Sequence, residues 1–301
     1  MQSIPKLLQL IALIAYVSLT AVAPAQTSGA SSTPNSKSVF TSFDFPGSTN
    51  TQATAITPSG EIVGRYISSD GIQHGFVLSN GAFTSLDVPG ASFTDAAWIN
   101  ARGEIVGTYT LAGETQGHAY VLSGGTFTTI DFPPGDVNTT GFGISNAGDV
   151  VGVGFVDSDF NDGQGYLFRH NEFTVIDLPG AKGTFPTMVI DSLRIVGAYV
   201  DTNLVFHGFS LSKGVFTTID FPSSTFTWIT GINPEGEMVG FYYDQAGNKH
   251  GFVLRNGNYV SFDIPGATGT AGNGIDPQGD VVGQYTTPDG NTHGYLLARL
   301  R

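Results

Sequence analysis

From residue 40 onward the chain alternates apolar and polar positions in short runs separated by turn residues. Period-two alternation over so few residues predicts half-buried β-strands rather than helices. Three runs recur. The first, F-T-x-[ILF]-D, ends at Asp44, Asp87, Asp131, Asp177, Asp220 and Asp263, with intervals of 43, 44, 46, 43 and 43 residues. The second, [IV]-V-G-x-Y, ends at Tyr66, Tyr109, Tyr199, Tyr242 and Tyr285, and "VVGVGF" is its irregular third copy. The third, H-G-[FY]-x-L, starts at His74, His207, His250 and His293, with "HAYVL" at His118 and "QGYLF" at Gln164 as variants. A period near 43 is that of a four-stranded propeller blade.

The second unit shows how four strands fit. Strand A covers 96–100, strand B 105–110, strand C 118–122 and strand D 127–132. A–B turns such as "TPSG", "NPEG" and "DPQG" use Pro to preset φ and Gly for the left-handed position. C–D turns hold Asn80-Gly81, Gly124-Gly125 and Asn256-Gly257, which favour two-residue type I′ hairpins. The Gly of V-G-x-Y recurs at 64, 107, 152, 197, 240 and 283; crowding near a propeller axis is the expected reason. No D strand follows His293, whereas an extra one, "FTSFDF", precedes the first A strand at Phe40. The expected fold is therefore all-β: a six-bladed β-propeller of four-stranded antiparallel blades over residues 40–301. The N-terminal strand completes the last blade and closes the ring.

Hairpin register places the histidines. Counting outward from Asn80-Gly81 sets His74 opposite Asp87. The same count sets His118 opposite Asp131, His207 opposite Asp220 and His250 opposite Asp263. If Leu297 pairs with Phe40, His293 meets Asp44. Gln164 takes the slot opposite Asp177. Five of the six histidines thus share one position, and the expected role is structural, a cross-strand pair. The second ring nitrogen is expected to hold a backbone carbonyl of the D-to-A turn. Histidines on separate blades cannot converge on one metal ion. Nor does the chain carry a G-x-S-x-G elbow to supply a nucleophile.

Composition narrows the setting. Residues 1–25 have the pattern of a secretory signal: Lys6, an apolar run from Leu7 to Ala23, and Ala23-Pro24-Ala25 as the cleavage site. Residues 26–39 form a polar linker, expected to be flexible. Loss of Lys6 with the leader leaves 11 basic against 25 acidic residues. So acidic a chain disfavours nucleic acid and anionic membrane surfaces as partners. There is no Cys, so export brings no disulfide. The expected location is secreted, periplasmic or extracellular, as a monomer.

These repeats resemble the HAF family of bacterial extracellular repeats. The residues that carry the resemblance are "HAYVL", "HGFVL", "INARGEIVGTY" and "GINPEGEMVGFYYDQAGNKHGF", within a match over residues 40–300. The resemblance implies export and a propeller-like array, and no reaction or catalytic residues. "GQGYLF" and the one-residue-short "IDSLRIVG" depart from the pattern, so distortion is expected in the third and fourth blades.

While the framework repeats, the D-to-A loops differ, and a ligand is expected there. Phe93, Phe185 and Phe226 are assigned to these loops, with Trp98 and Trp228 just inside strand A. Asp95, Asp136, Asn138 and Lys182 add polar contacts. Aromatic plates beside acidic and amide groups suit stacking of a sugar, so the expected partner is an extracellular glycan or a protein. Asp157, Asp159, Asn161 and Asp162 resemble an acidic calcium loop, but its Gly comes one place late and no Glu closes it. No other cofactor is expected. The first functional reading is a non-enzymatic binding or scaffolding module. The alternative is a glycan hydrolase or lyase using Asp95 and Asp136 across the channel mouth.

Overall fold

A computed structural model describes residues 38–133, 138–155 and 163–299. The described residues contain no helix and 24 strands. After β1 (Ser38–Phe43) comes a first group of β2 (Asn50–Ile56), β3 (Ile62–Ile67), β4 (Gln73–Ser79) and β5 (Ala82–Leu86). The second is β6 (Ala91–Ile99), β7 (Ile105–Leu111), β8 (His118–Ser123) and β9 (Thr126–Ile130). The third is β10 (Asn138–Ile144), β11 (Val150–Phe155), β12 (Gln164–Arg169) and β13 (Glu172–Ile176). The fourth is β14 (Gly183–Val189), β15 (Ile195–Val200), β16 (Phe206–Ser212) and β17 (Val215–Thr218). The fifth is β18 (Phe226–Ile232), β19 (Met238–Tyr243), β20 (Lys249–Arg255) and β21 (Asn258–Phe262). Last come β22 (Gly269–Ile275), β23 (Val281–Thr286) and β24 (Thr292–Arg299).

Within each group, consecutive strands pair antiparallel. β1 pairs antiparallel with β24, with Phe40 opposite Leu297. Strand pairing starts at Ser38, so Ser38 and Val39 belong to β1 and not to the expected linker. Type I′ geometry at the C–D turns is visible as positive φ at Asn80-Gly81, Gly124-Gly125, Lys213-Gly214 and Asn256-Gly257. The expected distortion of the fourth unit is absent: β14, β15 and β16 pair in continuous register apart from the bulge common to all first strands. Nor is its A–B turn a residue short: five residues separate β14 from β15, as in the other groups, and Leu193 takes the left-handed φ of 56° that glycine takes in the other A–B turns.

Every group's first strand bulges at the same place, for instance between Ala53 and Ala55 and between Gly272 and Gly274. The bulge turns one residue toward the next group. Thr54 Oγ1 donates to the Ala96 carbonyl at 2.8 Å, Thr187 to that of Ile229 at 2.8 Å and Thr230 to that of Gly272 at 2.8 Å. Asn273 Nδ2 donates to the Ala53 carbonyl at 2.7 Å, linking β22 back to β2. Ala97 and Phe142 hold the equivalent places in the second and third groups and have no side-chain donor.

The glycine of V-G-x-Y has a local explanation rather than the axial crowding expected. A Cβ on Gly64 would collide with the Gln52 carbonyl beside the bulge and with the Phe76 ring of β4. The same ring position holds tyrosine in three groups, and there the hydroxyl donates to the first-strand carbonyl: Tyr120 to Asp95, Tyr166 to Thr140 and Tyr295 to Ala271, at 2.9–3.0 Å. Between groups, the aromatic residue after a motif aspartate packs onto the next group, as Phe45 does on Tyr66 and Phe221 on Tyr242, with ring centroids 3.6 and 3.7 Å apart.

Candidate functional site

The histidines occupy the outer hairpins. His74, His118, His207, His250 and His293 each place Nδ1 2.7–2.9 Å from Asp87, Asp131, Asp220, Asp263 and Asp44 in turn. A carboxylate can only accept, so Nδ1 carries the proton. Each imidazole also stacks on the tyrosine of its group, with centroids 5.1–5.2 Å apart. Nε2 does not hold a carbonyl of the D-to-A turn. It faces the B–C loop, where it meets Ser68, Glu114, Asp244 or Thr287 at 3.1–3.3 Å and Asp201 at 3.7 Å. The loop side chain is nearer because the imidazole lies flat along the tyrosine, which aims its far edge at the B–C turn. For His250 the hydrogen bond to Asp263 raises the pKa, against partial burial. No set of three metal-ligating side chains gathers among the described residues. Each of the five imidazoles is thus held by a tyrosine at its face and a carboxylate at Nδ1, which ties together the two strands that carry the pair.

The residues expected to bind a ligand divide. Phe93 and Phe185 are not loop residues; they lie inside β6 and β14 and are 4% and 3% exposed. The turn before each ends sooner than expected, so their rings enter the core. Trp98 and Trp228 are buried as well. Neither Phe93 nor Trp98 offers a face at the D-to-A end. Asp95 is buried: Oδ2 accepts from Arg65 at 3.3 Å, and Oδ1 accepts no hydrogen bond from the described residues. Burial raises its carboxyl pKa, and the Arg65 guanidinium opposes the rise. Asn138 accepts from the Gly117 amide at 2.8 Å and thereby fixes the B–C loop. Lys182 is exposed. Asp136, and with it the acid pair that hydrolysis would need, lies outside the described residues. So do Asp157, Asp159, Asn161 and Asp162.

Phe185, Phe226 and Trp228 do come together, at the D-to-A end of the fourth and fifth groups. Phe185 lies 5.6 Å from Trp228, and Phe206 stacks on Trp228 at 5.5 Å. Phe226 lies 5.1 Å from Phe206 and 5.2 Å from Tyr243. Trp228, Phe185 and Phe241 form a buried base, while Phe206, Phe226 and Tyr243 are half-buried above it. The Lys249 ammonium sits 4.2 Å over the Phe241 ring. Burial, with repulsion from Arg65, pushes the Lys249 pKa down to about 8. On the first and second groups the same layer is polar: Arg65 donates to Gln52 at 2.9 Å, and Gln52 to Asn50 at 3.0 Å.

Sequence reasoning missed Phe206, Tyr243, Lys249 and Arg65. A signal existed for two of them. The residue before each motif histidine, or before its Gln164 variant, reads Gln73, Gly117, Gly163, Phe206, Lys249 and Thr292. That slot varies inside an otherwise constant frame, and its side chains lie at the D-to-A end.

No known protein family matches the chain, and no curated protein sequence does. Solved structures are similar in fold. A putative TolB from Agrobacterium tumefaciens aligns at 15% identity over 82% of this chain and 90% of its own, with a TM-score of 0.56. The β-propeller domain of the Trilobed protease from Pyrococcus furiosus, titled as having an open velcro topology, aligns at 10% identity over 84% of each chain, with a TM-score of 0.54. The Aleuria aurantia lectin, in complex with Fucα1-6GlcNAc, aligns at 10% identity over 82% of this chain and 91% of its own, with a TM-score of 0.51. At such identities the likeness is one of fold, and that fold is the β-propeller.

Proposed function

We propose that the four-stranded groups are six blades of a ring closed by β1, and that the molecule is an exported, non-enzymatic binding module whose ligand is a carbohydrate. The observation that carries the reading is the aromatic surface at the D-to-A end of the fourth and fifth blades. There the half-buried Phe206, Phe226 and Tyr243 are braced by a buried aromatic base, with Lys249 beside them. A sugar presents an apolar face to rings and hydroxyls to an edge, and this surface pairs rings with polar neighbours. The sugar complex of the Aleuria aurantia lectin offers a precedent on a similar fold and nothing closer than that. Export rests on the leader pattern of residues 1–25, and the HAF resemblance of the repeats agrees with it. Asp95 does not favour catalysis, because Arg65 already holds it inside the protein.

The test is a glycan array probed with the chain from Gln26, followed by titration of the best binder. Phe226→Ala and Phe206→Ala should each weaken binding roughly fivefold or more, about 1 kcal/mol per stacked ring, while the melting temperature holds. Absence of any glycan binding at millimolar concentration overturns the reading. Unchanged affinity in both variants removes this surface as the site.

A further inference from the structure

At the opposite end of the molecule the A–B turns of all six groups surround a cavity of about 200 Å³. Its lining is apolar in depth. Each first strand contributes its last aliphatic residue, such as Ile144 or Ile232, and Met188 adds a thioether. Trp98 lies deepest. Its ring reaches across from the second group to the fifth, so that a Cβ on Gly231 would sit 2.8 Å from it.

The polar side chains at the rim are already engaged. Asn100 donates to the Ser145 carbonyl at 2.9 Å and accepts from the Arg102 and Glu104 amides. Asn233 donates to the Asp276 carbonyl at 2.9 Å and accepts from the Glu237 amide. Ser145 accepts from the Ala147 and Asp149 amides. These groups fix the turns and leave little for a sugar's hydroxyls. Two charged residues line the cavity, Asp191 and Asp276, and both are carboxylates. Of the nearby arginines, Arg102 pairs with Glu104, Arg255 and Arg299 pair with Glu237, and Arg194 donates to the Ser210 hydroxyl at 3.0 Å.

We propose that this cavity is a binding site for one neutral or cationic six-membered aromatic ring, seated against Trp98 and Met188. The space suits it: an apolar cavity of about 150 Å³ is enough for benzene. Ring–ring and sulfur–ring contacts favour an aromatic over an aliphatic guest. The two rim carboxylates disfavour a negatively charged one. The site lies at the other end from the aromatic surface of the fourth and fifth groups, and it stands or falls independently of the carbohydrate reading.

The chain has two tryptophans, so Trp228→Phe leaves Trp98 as the sole indole emitter. Benzyl alcohol, benzylamine and benzoate share one ring and differ in charge. Titrated into Trp228→Phe, the first two should change Trp98 emission saturably, with half-points in the millimolar range. Benzoate should be at least tenfold weaker. In Trp98→Phe the remaining Trp228 should show no saturable change. The unmodified protein provides a measurement that needs no variant: the same compounds should raise its melting temperature in the same order. A linear, equal response to all three compounds overturns the proposal, as does a saturable response that survives in Trp98→Phe or a melting temperature none of them moves.

Discussion

His250 lies between two carboxylates. Asp263 faces Nδ1 at 2.9 Å and Asp244 faces Nε2 at 3.3 Å, while Tyr242 stacks on the ring. An imidazole that meets carboxylates on both edges is best matched when both nitrogens carry protons. Its pKa is accordingly raised in the folded protein, first by the Asp263 hydrogen bond. A raised folded pKa means that this stabilisation is fully present below the unfolded value of about 6.5 and fades as pH rises through the folded value. On the acid side, burial would raise the Asp244 pKa, but hydrogen bonds from Asn248, His250 and Ala246 lower it on balance. Its contribution is therefore present above about pH 4 and is lost as pH falls through its lowered value. Coupling between His250 and Asp263 in a double-mutant cycle (His250→Gln, Asp263→Asn) should reach about 0.5–1 kcal/mol near pH 5.5 and shrink by pH 8.5. Chemical denaturation at the two pH values measures it. Coupling that grows toward pH 8.5 would contradict a pairing of imidazolium with carboxylate.

At the scale of strands and turns, much was legible because the motifs repeat at nearly fixed spacing. A two-residue turn dictates which positions face each other, and a period near 43 residues then copies that geometry around the chain. What escaped were contacts between elements adjacent in space but not tied by periodicity. Thr270 is one such case. It follows Asp263 by seven residues, as Thr51 follows Asp44 and Thr94 follows Asp87. Its buried hydroxyl accepts the Ile264 amide at 3.1 Å and so closes the D-to-A turn; the first five groups hold the same bond. The interval was visible, but its purpose depends on the turn being tight. The same tightness draws Phe93 and Phe185 into strands and away from a ligand. Phe206 and Lys249 were legible only as variation in a constant frame, with nothing in the sequence to say that they point toward one end. Thr270→Val keeps the shape and removes the acceptor, leaving a buried N–H unpaired. It should cost about 1–3 kcal/mol. Thr217→Val, on the exposed face of β17, should stay within about 0.5 kcal/mol. Urea melts of both report the difference, and equal effects would mean that the turn does not depend on the hydroxyl.

For the whole molecule the question is what joins the last strands to the first. β22 packs against β2, as β2 does against β6, and the same contact links β6 with β10, β10 with β14, β14 with β18 and β18 with β22. Side-chain ties span the sequence: Asn273 donates to Ala53, 220 residues away, Ser42 meets Tyr285, 243 away, and His293 pairs with Asp44, 249 residues away. β1 contributes more than hydrogen bonds. Phe43 packs beside Phe83, and Phe45 lies flat on Tyr66, so the end of β1 and the residues just after it bridge the last group and the first. Under the proposed closure, a chain beginning at Pro46 loses both rings and bares the edge of β24. Burial of two phenylalanines and one strand face is worth about 3–6 kcal/mol, which for a chain of this size is roughly 6–20 °C in melting temperature. A chain beginning at Ser38 keeps every one of these contacts and should melt as the chain from Gln26 does. The missing strand should also act from outside: a synthetic peptide of residues 38–46, added in excess to the chain from Pro46, should raise its melting temperature in a concentration-dependent way. The same peptide carrying Phe45→Ala and Asp44→Asn should do so less. Equal melting temperatures for the chains from Ser38 and Pro46 would show that β1 is an appendage and not the closing strand. A peptide that stabilises the shortened chain only as well as its doubly substituted form would show that the register, with Asp44 at His293 and Phe45 on Tyr66, is not what holds it.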